Sequence, residues 1–186
     1  MPAMDSVTSS QPYLRGSLFG WPDSVRVHRL ANIAGQCEVG EHTRIDAFVT
    51  ITGRVRIGKN CHIATGVAIF GGFGSVHDDA GVVIGDAVAL SPGVKVFTET
   101  TDLASGLITG HVGADLERAS FGAPVVIDRY ASVGANSVVL PGVHIYPGVQ
   151  VGALSLVRES LAAGFVYAGC PCRVVSVRPP LKYADA

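Results

Sequence analysis

A chain of 186 residues, 48% hydrophobic and 16% charged, is long enough for one domain with a sizeable core. Its formal net charge of −1 gives no electrostatic case for a nucleic-acid partner. No stretch reaches the roughly eighteen continuous apolar residues of a membrane span, and the N-terminus lacks a basic start followed by an apolar run, so a cytoplasmic protein is expected.

Residues 1–18 are rich in Ser, Thr, Pro and Gln, carry no periodicity and read as a tail. Tyr13, Leu14, Phe19 and Trp21 are available there to cap whatever follows. From Val27 the chain carries a strict six-residue beat: Val27, Ile33, Val39, Ile45, Ile51, Ile57, Ile63 and Ile69, all β-branched. Four residues after each comes a second one, mostly small or apolar: Ala31, Cys37, Thr43, Val49, Val55, Cys61, Val67 and Phe73. The beat resumes at Ile84, Leu90 and Val96, and again from Ile127 through Val133, Val139, Ile145 and Val151 to Val157.

A period of six is neither helical nor the strand repeat of two. It fits a short strand plus a corner, used three times to close a triangular coil of roughly eighteen residues. Three stacked ladders follow. A first face holds Val39, Ile57, Ile84, Ile127 and Ile145; a second holds Val27, Ile45, Ile63, Leu90, Val133 and Val151. The third holds Ile33, Ile51, Ile69, Val96, Val139 and Val157. Pro-Gly pairs at Pro92-Gly93, Pro141-Gly142 and Pro147-Gly148 mark corners, where proline presets φ and glycine tolerates a tight turn. The expected fold is all-β, a parallel β-helix over residues 19–175, followed by a C-terminal tail over 176–186.

The beat breaks twice, over the fifteen residues from Ile69 to Ile84 and the thirty-one from Val96 to Ile127. Both breaks fall between the third ladder and the first, so two loops should leave one edge of neighbouring coils and wall a groove. Long loops inside compact domains are usually functional. Cys37 and Cys61 occupy inward positions and read as small core hydrophobes. Cys170 and Cys172 flank Pro171 without the second cysteine pair a zinc site would want.

The beat, the extruded loops and the ending resemble the hexapeptide-repeat acyltransferases. The matching stretches are Phe121-Gly122-Ala123-Pro124-Val125-Val126-Ile127-Asp128, Val133-Gly134-Ala135-Asn136-Ser137-Val138-Val139-Leu140-Pro141-Gly142-Val143, and the closing Ala168-Gly169-Cys170-Pro171-Cys172-Arg173. Asp102-Leu103-Ala104-Ser105-Gly106-Leu107-Ile108-Thr109-Gly110 is similar to the loop of bacterial amino-sugar N-acyltransferases, which acylate nucleotide-linked amino sugars for surface polysaccharides. The resemblance implies a left-handed helix, a homotrimer, and acetyl-CoA or another acyl-CoA lying between adjacent prisms. It also implies CoA contacts at Gly134, Ala135 and Ala153 for the pantetheine arm and at Arg158 and Arg173 for phosphates. Thr98-Glu99-Thr100-Thr101-Asp102 lacks the histidine base that the galactoside and maltose acetyltransferases place early in this loop, which favours an amine acceptor over a sugar hydroxyl.

Acyl transfer from a thioester needs a nucleophile that loses a proton, a held oxyanion and a thiolate that leaves. Asp102, near the root of the long loop, is the first candidate to orient the nucleophile and relay its proton. Ser91 faces outward just after Leu90, and His62, outward before Ile63, lies one coil away in the stacked arrangement. Glu99 and His111 are candidate substrate contacts. A zinc enzyme resembling the gamma carbonic anhydrases would need three histidines converging on one ion. His28, His42, His62, His77, His111 and His144 scatter over coils and faces, so no metal is expected.

Overall fold

The computed structural model describes residues 12–72, 81–101 and 120–180. Over these the six-residue beat becomes a left-handed parallel β-helix. The second face stacks in register as Val27, Ile45, Ile63, Leu90, Val133 and Val151, and the sheet continues to Phe165–Ala168. The first and third faces form one further sheet of parallel strands. They are joined because the strands Asn32–Val39 and Thr50–Ile57 each run through the corner between them and pair along their whole length.

The inward residues make the core. Ile45, Ile51, Ile57, Ile63, Ile69, Ile84, Leu90, Ile127 and Ile145 are among the largest side chains removed from water. Burying each is worth about 1.5–3 kcal/mol. No coil can bury its own ladder residue alone, so this stability exists only in the stack. The second inward position is less uniform. It takes valine at Val49, Val67, Val88, Val94 and Val149, but buried hydroxyls at Thr43, Ser137 and Ser155. These bridge coils: Ser137 Oγ donates to the Gly152 carbonyl at 3.0 Å and accepts the Ser155 amide at 3.1 Å. Thr43 Oγ1 likewise donates to the Gly58 carbonyl and accepts the Cys61 amide. Burial pushes the Cys37 thiol up to about 12, consistent with a packing role.

Both ends are capped by antiparallel strands. Tyr13–Arg15 pairs with Arg26–His28, setting Leu14 opposite Val27. After the 3-10 turn Gly16–Phe19, Trp21 packs on the core, stacks with Phe19 and donates its indole N–H to the Cys37 carbonyl at 2.9 Å. At the other end Arg173–Val177 folds back on Phe165–Ala168. The Arg178 guanidinium then donates to the carbonyls of Tyr130 and Gly148.

The third-to-first corner sets the shape. In the first coils it is turned by Gly35 and Gly53 at φ +99° and +78°, where a Cβ on Gly53 would overlap the Gly72 carbonyl. In the next two coils the chain leaves at this same corner, once after Gly72 and once through a stem pairing Glu99–Thr101 with Ser120–Gly122. The two insertions therefore depart from one edge, as the interrupted beat predicts.

Candidate active site

The corner between the second and third faces gathers four of the residues singled out from sequence. Ser91 is half-buried there, its amide donating to the Val133 carbonyl of the next coil. Gly134 follows Val133 at the equivalent place, and its amide donates to Val151. Ala135 and Ala153 sit one position further along, on successive coils tied by the Leu154 amide and the Ala135 carbonyl. A Cβ at Gly134 would overlap the backbone of Ala153, so coil packing alone already demands glycine here. Ser91, Gly134, Ala135 and Ala153 thus line a strip of small side chains along one edge of the prism.

His62 stands on the second face one coil from Ser91, opposite Ala89. Its ring turns the other way, toward the N-terminal end: Nε2 lies 2.8 Å from Asp46 Oδ2. The carboxylate also accepts from Arg44 Nε at 2.7 Å and from the Tyr13 hydroxyl at 2.6 Å, while Arg44 donates to that same hydroxyl. Burial raises the Asp46 pKa, but the hydrogen bonds from Tyr13, His62 and Arg44 outweigh it and hold the carboxyl below its ordinary value. A carboxylate on Nε2 fixes the ring's orientation. Sequence reasoning missed Asp46, Tyr13 and Arg44. The register held the signal, since Asp46 follows Ile45 as Ser91 follows Leu90. The same geometry recurs at His144, whose Nε2 lies 2.6 Å from Asp128 Oδ2, again sixteen residues earlier in the chain.

Arg158 and Arg173 come together far from Ser91 in sequence, lining a cavity of about 190 Å³ with Tyr167, Cys172 and Val174 at the C-terminal end of the prism. Glu99 opens the hairpin stem opposite Gly122. Asp102 is the residue after that stem, and with His77 and His111 it lies outside the described residues. Among the described residues no three His, Cys, Asp or Glu side chains are placed to hold a metal ion. No helix among them is long and apolar enough to cross a membrane.

Residues 36–71 match the model of the family described as bacterial transferase hexapeptide (six repeats). The chain is 26% identical over 161 residues to dTDP-4-amino-4,6-dideoxy-D-glucose acyltransferase of Escherichia coli, covering 84% of this chain and 80% of that one. It is 33% identical over 120 residues to galactoside O-acetyltransferase of Lactococcus lactis subsp. lactis (strain IL1403), covering 63% of this chain and 53% of that protein. Among solved structures it superposes on AntD, an N-acyltransferase from Bacillus cereus, with a TM-score of 0.83 at 26% identity, covering 91% of this chain and 92% of the other. That AntD structure carries a serine-to-alanine change and holds dTDP-4-amino-4,6-dideoxyglucose and coenzyme A. A further AntD structure has an aspartate ten positions after that serine changed to alanine.

Proposed function

Because the chain belongs to the hexapeptide-repeat acyltransferases of left-handed β-helix fold, we propose that it transfers the acyl group of an acyl-CoA to the amino group of a nucleotide-linked amino sugar, for surface-polysaccharide synthesis. The observation that carries this reading is the end-to-end likeness to AntD. AntD has been altered at a serine and at an aspartate ten positions later. Here Ser91 sits on the small-residue edge, and an aspartate, Asp102, comes eleven positions later in the sequence.

In this mechanism the amine nitrogen attacks the thioester carbonyl, a C–N bond forms, the C–S bond breaks and the CoA thiolate leaves. Asp102 accepts the proton lost by the nitrogen, and the Ser91 hydroxyl hydrogen-bonds the amine or a relaying water. An amine needs less base assistance than a hydroxyl once it is desolvated and positioned. The pantetheine arm lies along Gly134, Ala135 and Ala153, and Arg158 and Arg173 meet the phosphates of the cofactor. Glu99 and His111 contact the sugar. We place the reaction in the cytoplasm and between the prisms of a homotrimer. The exposed apolar side chains Val83, Phe121 and Tyr146 support such an assembly.

Acyl transfer to a sugar hydroxyl, as in the galactoside O-acetyltransferase relative, is the second reading. The experiment that separates them offers a panel of amino and hydroxy sugars, free and nucleotide-linked, with acetyl-CoA and measures thiol release. Turnover confined to hydroxy sugars rejects the N-acyl reading. Asp102→Asn is expected to lower turnover about 10²-fold or more, within the range for acid–base groups. His62→Ala should fall less; a collapse there, with Asp102→Asn near normal, moves the proton relay to His62.

A further inference from the structure

A polar cavity beside the first insertion is unused by this mechanism. It measures about 330 Å³ and lies on the first face, at the corner from which both insertions leave. Gln36, Glu38, Arg54, Arg56, Gly81 and Val83 line it. Arg54 and Arg56 project from the strand Thr50–Ile57 on either side of the buried Val55. Their spacing of two sends both guanidinium groups to the outer face of the sheet. Glu38, from the coil below, offsets part of that charge through a 3.0 Å contact with Arg56 Nε. Both partners of this pair are more than two-thirds exposed, so it is weakly held and readily exchanged for a ligand. Gly81 leaves the floor open, its missing Cβ facing the Arg54 carbonyl at 3.4 Å. On the neighbouring third face, Phe70 pairs in register with Thr52 and stacks on Phe97 with ring centroids 5.2 Å apart.

We propose that this cavity binds the diphosphate of the nucleotide-linked acceptor, with Arg54 and Arg56 as its anion clamp. The assignment rests on the nucleotide-sugar reading and names where that substrate's charge is held. Two forked guanidinium groups two residues apart match the oxygens of neighbouring phosphoryl groups, which ammonium side chains match less well. The half-buried Phe70–Phe97 stack gives the adjoining base an apolar neighbour. The phosphates of CoA have the same chemistry, but the second arginine pair, Arg158 and Arg173, lines a different cavity at the C-terminal end.

Calorimetric titration of the full chain with thymidine diphosphate, and separately with CoA, tests this. For the Arg54→Gln/Arg56→Gln double variant, thymidine diphosphate affinity should fall about tenfold or more, consistent with loss of charge-assisted bonds. CoA affinity should stay unchanged, and the sugar-nucleotide KM should rise with little change in kcat. Glu38→Gln removes the carboxylate paired with Arg56 and should tighten thymidine diphosphate binding, a gain that misfolding cannot produce. Unchanged thymidine diphosphate affinity in the double variant, or a loss confined to CoA, overturns the assignment. If the unaltered protein binds CoA but neither thymidine nor uridine diphosphate, the nucleotide-sugar reading itself falls.

Discussion

Asp46 shows how one side chain ties the proposed site to the stability of the first coils. It is almost fully buried, yet ionised, because Tyr13, His62 and Arg44 all converge on it. Removing its charge leaves those partners short of an acceptor, so Asp46→Asn should cost about 1–3 kcal/mol at neutral pH. The pH dependence has a definite sign. A carboxyl held below its ordinary value of 3.8 contributes fully above that pH and loses its contribution as pH falls through the lower folded value. Urea unfolding of both proteins between pH 3 and 7 should therefore show a constant gap above about pH 4 that closes in acid. A gap that widens in acid would contradict the hydrogen-bonding arrangement. Ser91 and His62 were legible because each flanks a beat residue that fixes its direction. Asp46 was not read, because its role depends on which way a neighbouring coil's histidine turns. Arg54 and Arg56 escaped for a similar reason, since alternating charge along a strand looks like an ordinary solvated face.

At the level of the corner, the repeat imposes a backbone rule. The third residue after many beat positions adopts a left-handed conformation. It is filled by glycine at Gly66, Gly93, Gly142 and Gly148, and by His42, Phe48, Asn60, Ala87, Tyr130, Asn136 and Leu154 elsewhere. The Pro-Gly pairs announced three of these turns. Gly66, Asn60 and Asn136 are residue types suited to that region, but nothing in Phe48 or Leu154 signals positive φ. Such residues carry a penalty of roughly 1–2 kcal/mol, partly offset in a glycine variant by the greater freedom of its unfolded chain. Leu154 is 72% exposed at φ +57°, so Leu154→Gly should raise stability by about 0.5–1 kcal/mol. A melting temperature that instead falls would mean the leucine is covered in the assembled protein. Gly53 is the opposite case. Gly53→Ala forces a methyl into the Gly72 backbone at positive φ and should destabilise by about 2 kcal/mol or more, by denaturant midpoint.

For the molecule as a whole, ladder membership, coil order and the shared edge of the two insertions were all readable, because a fixed period maps directly onto a stack. The loops themselves carry no period, and the proposed Asp102 and His111 stand there, so the reacting centre was the least legible part. The terminal strands were legible only in part, through Tyr13 and Leu14 as capping residues. Tyr13–Arg15 and Arg173–Val177 break the beat, yet each completes the second face by pairing antiparallel at an end.

Those two end strands do more than finish a surface. A prism of parallel rungs presents, at each end, a row of amides and carbonyls matched to the far end of another copy. Removing residues 1–15 together with 173–186 would uncover the rungs Arg26–His28 and Phe165–Ala168 and turn a closed particle into a unit for head-to-tail growth. The truncated protein should scatter light increasingly with concentration and form thin filaments in electron micrographs, whereas the full chain stays discrete. The antiparallel reversal at each end thus acts as a stop signal that keeps a self-templating geometry from propagating.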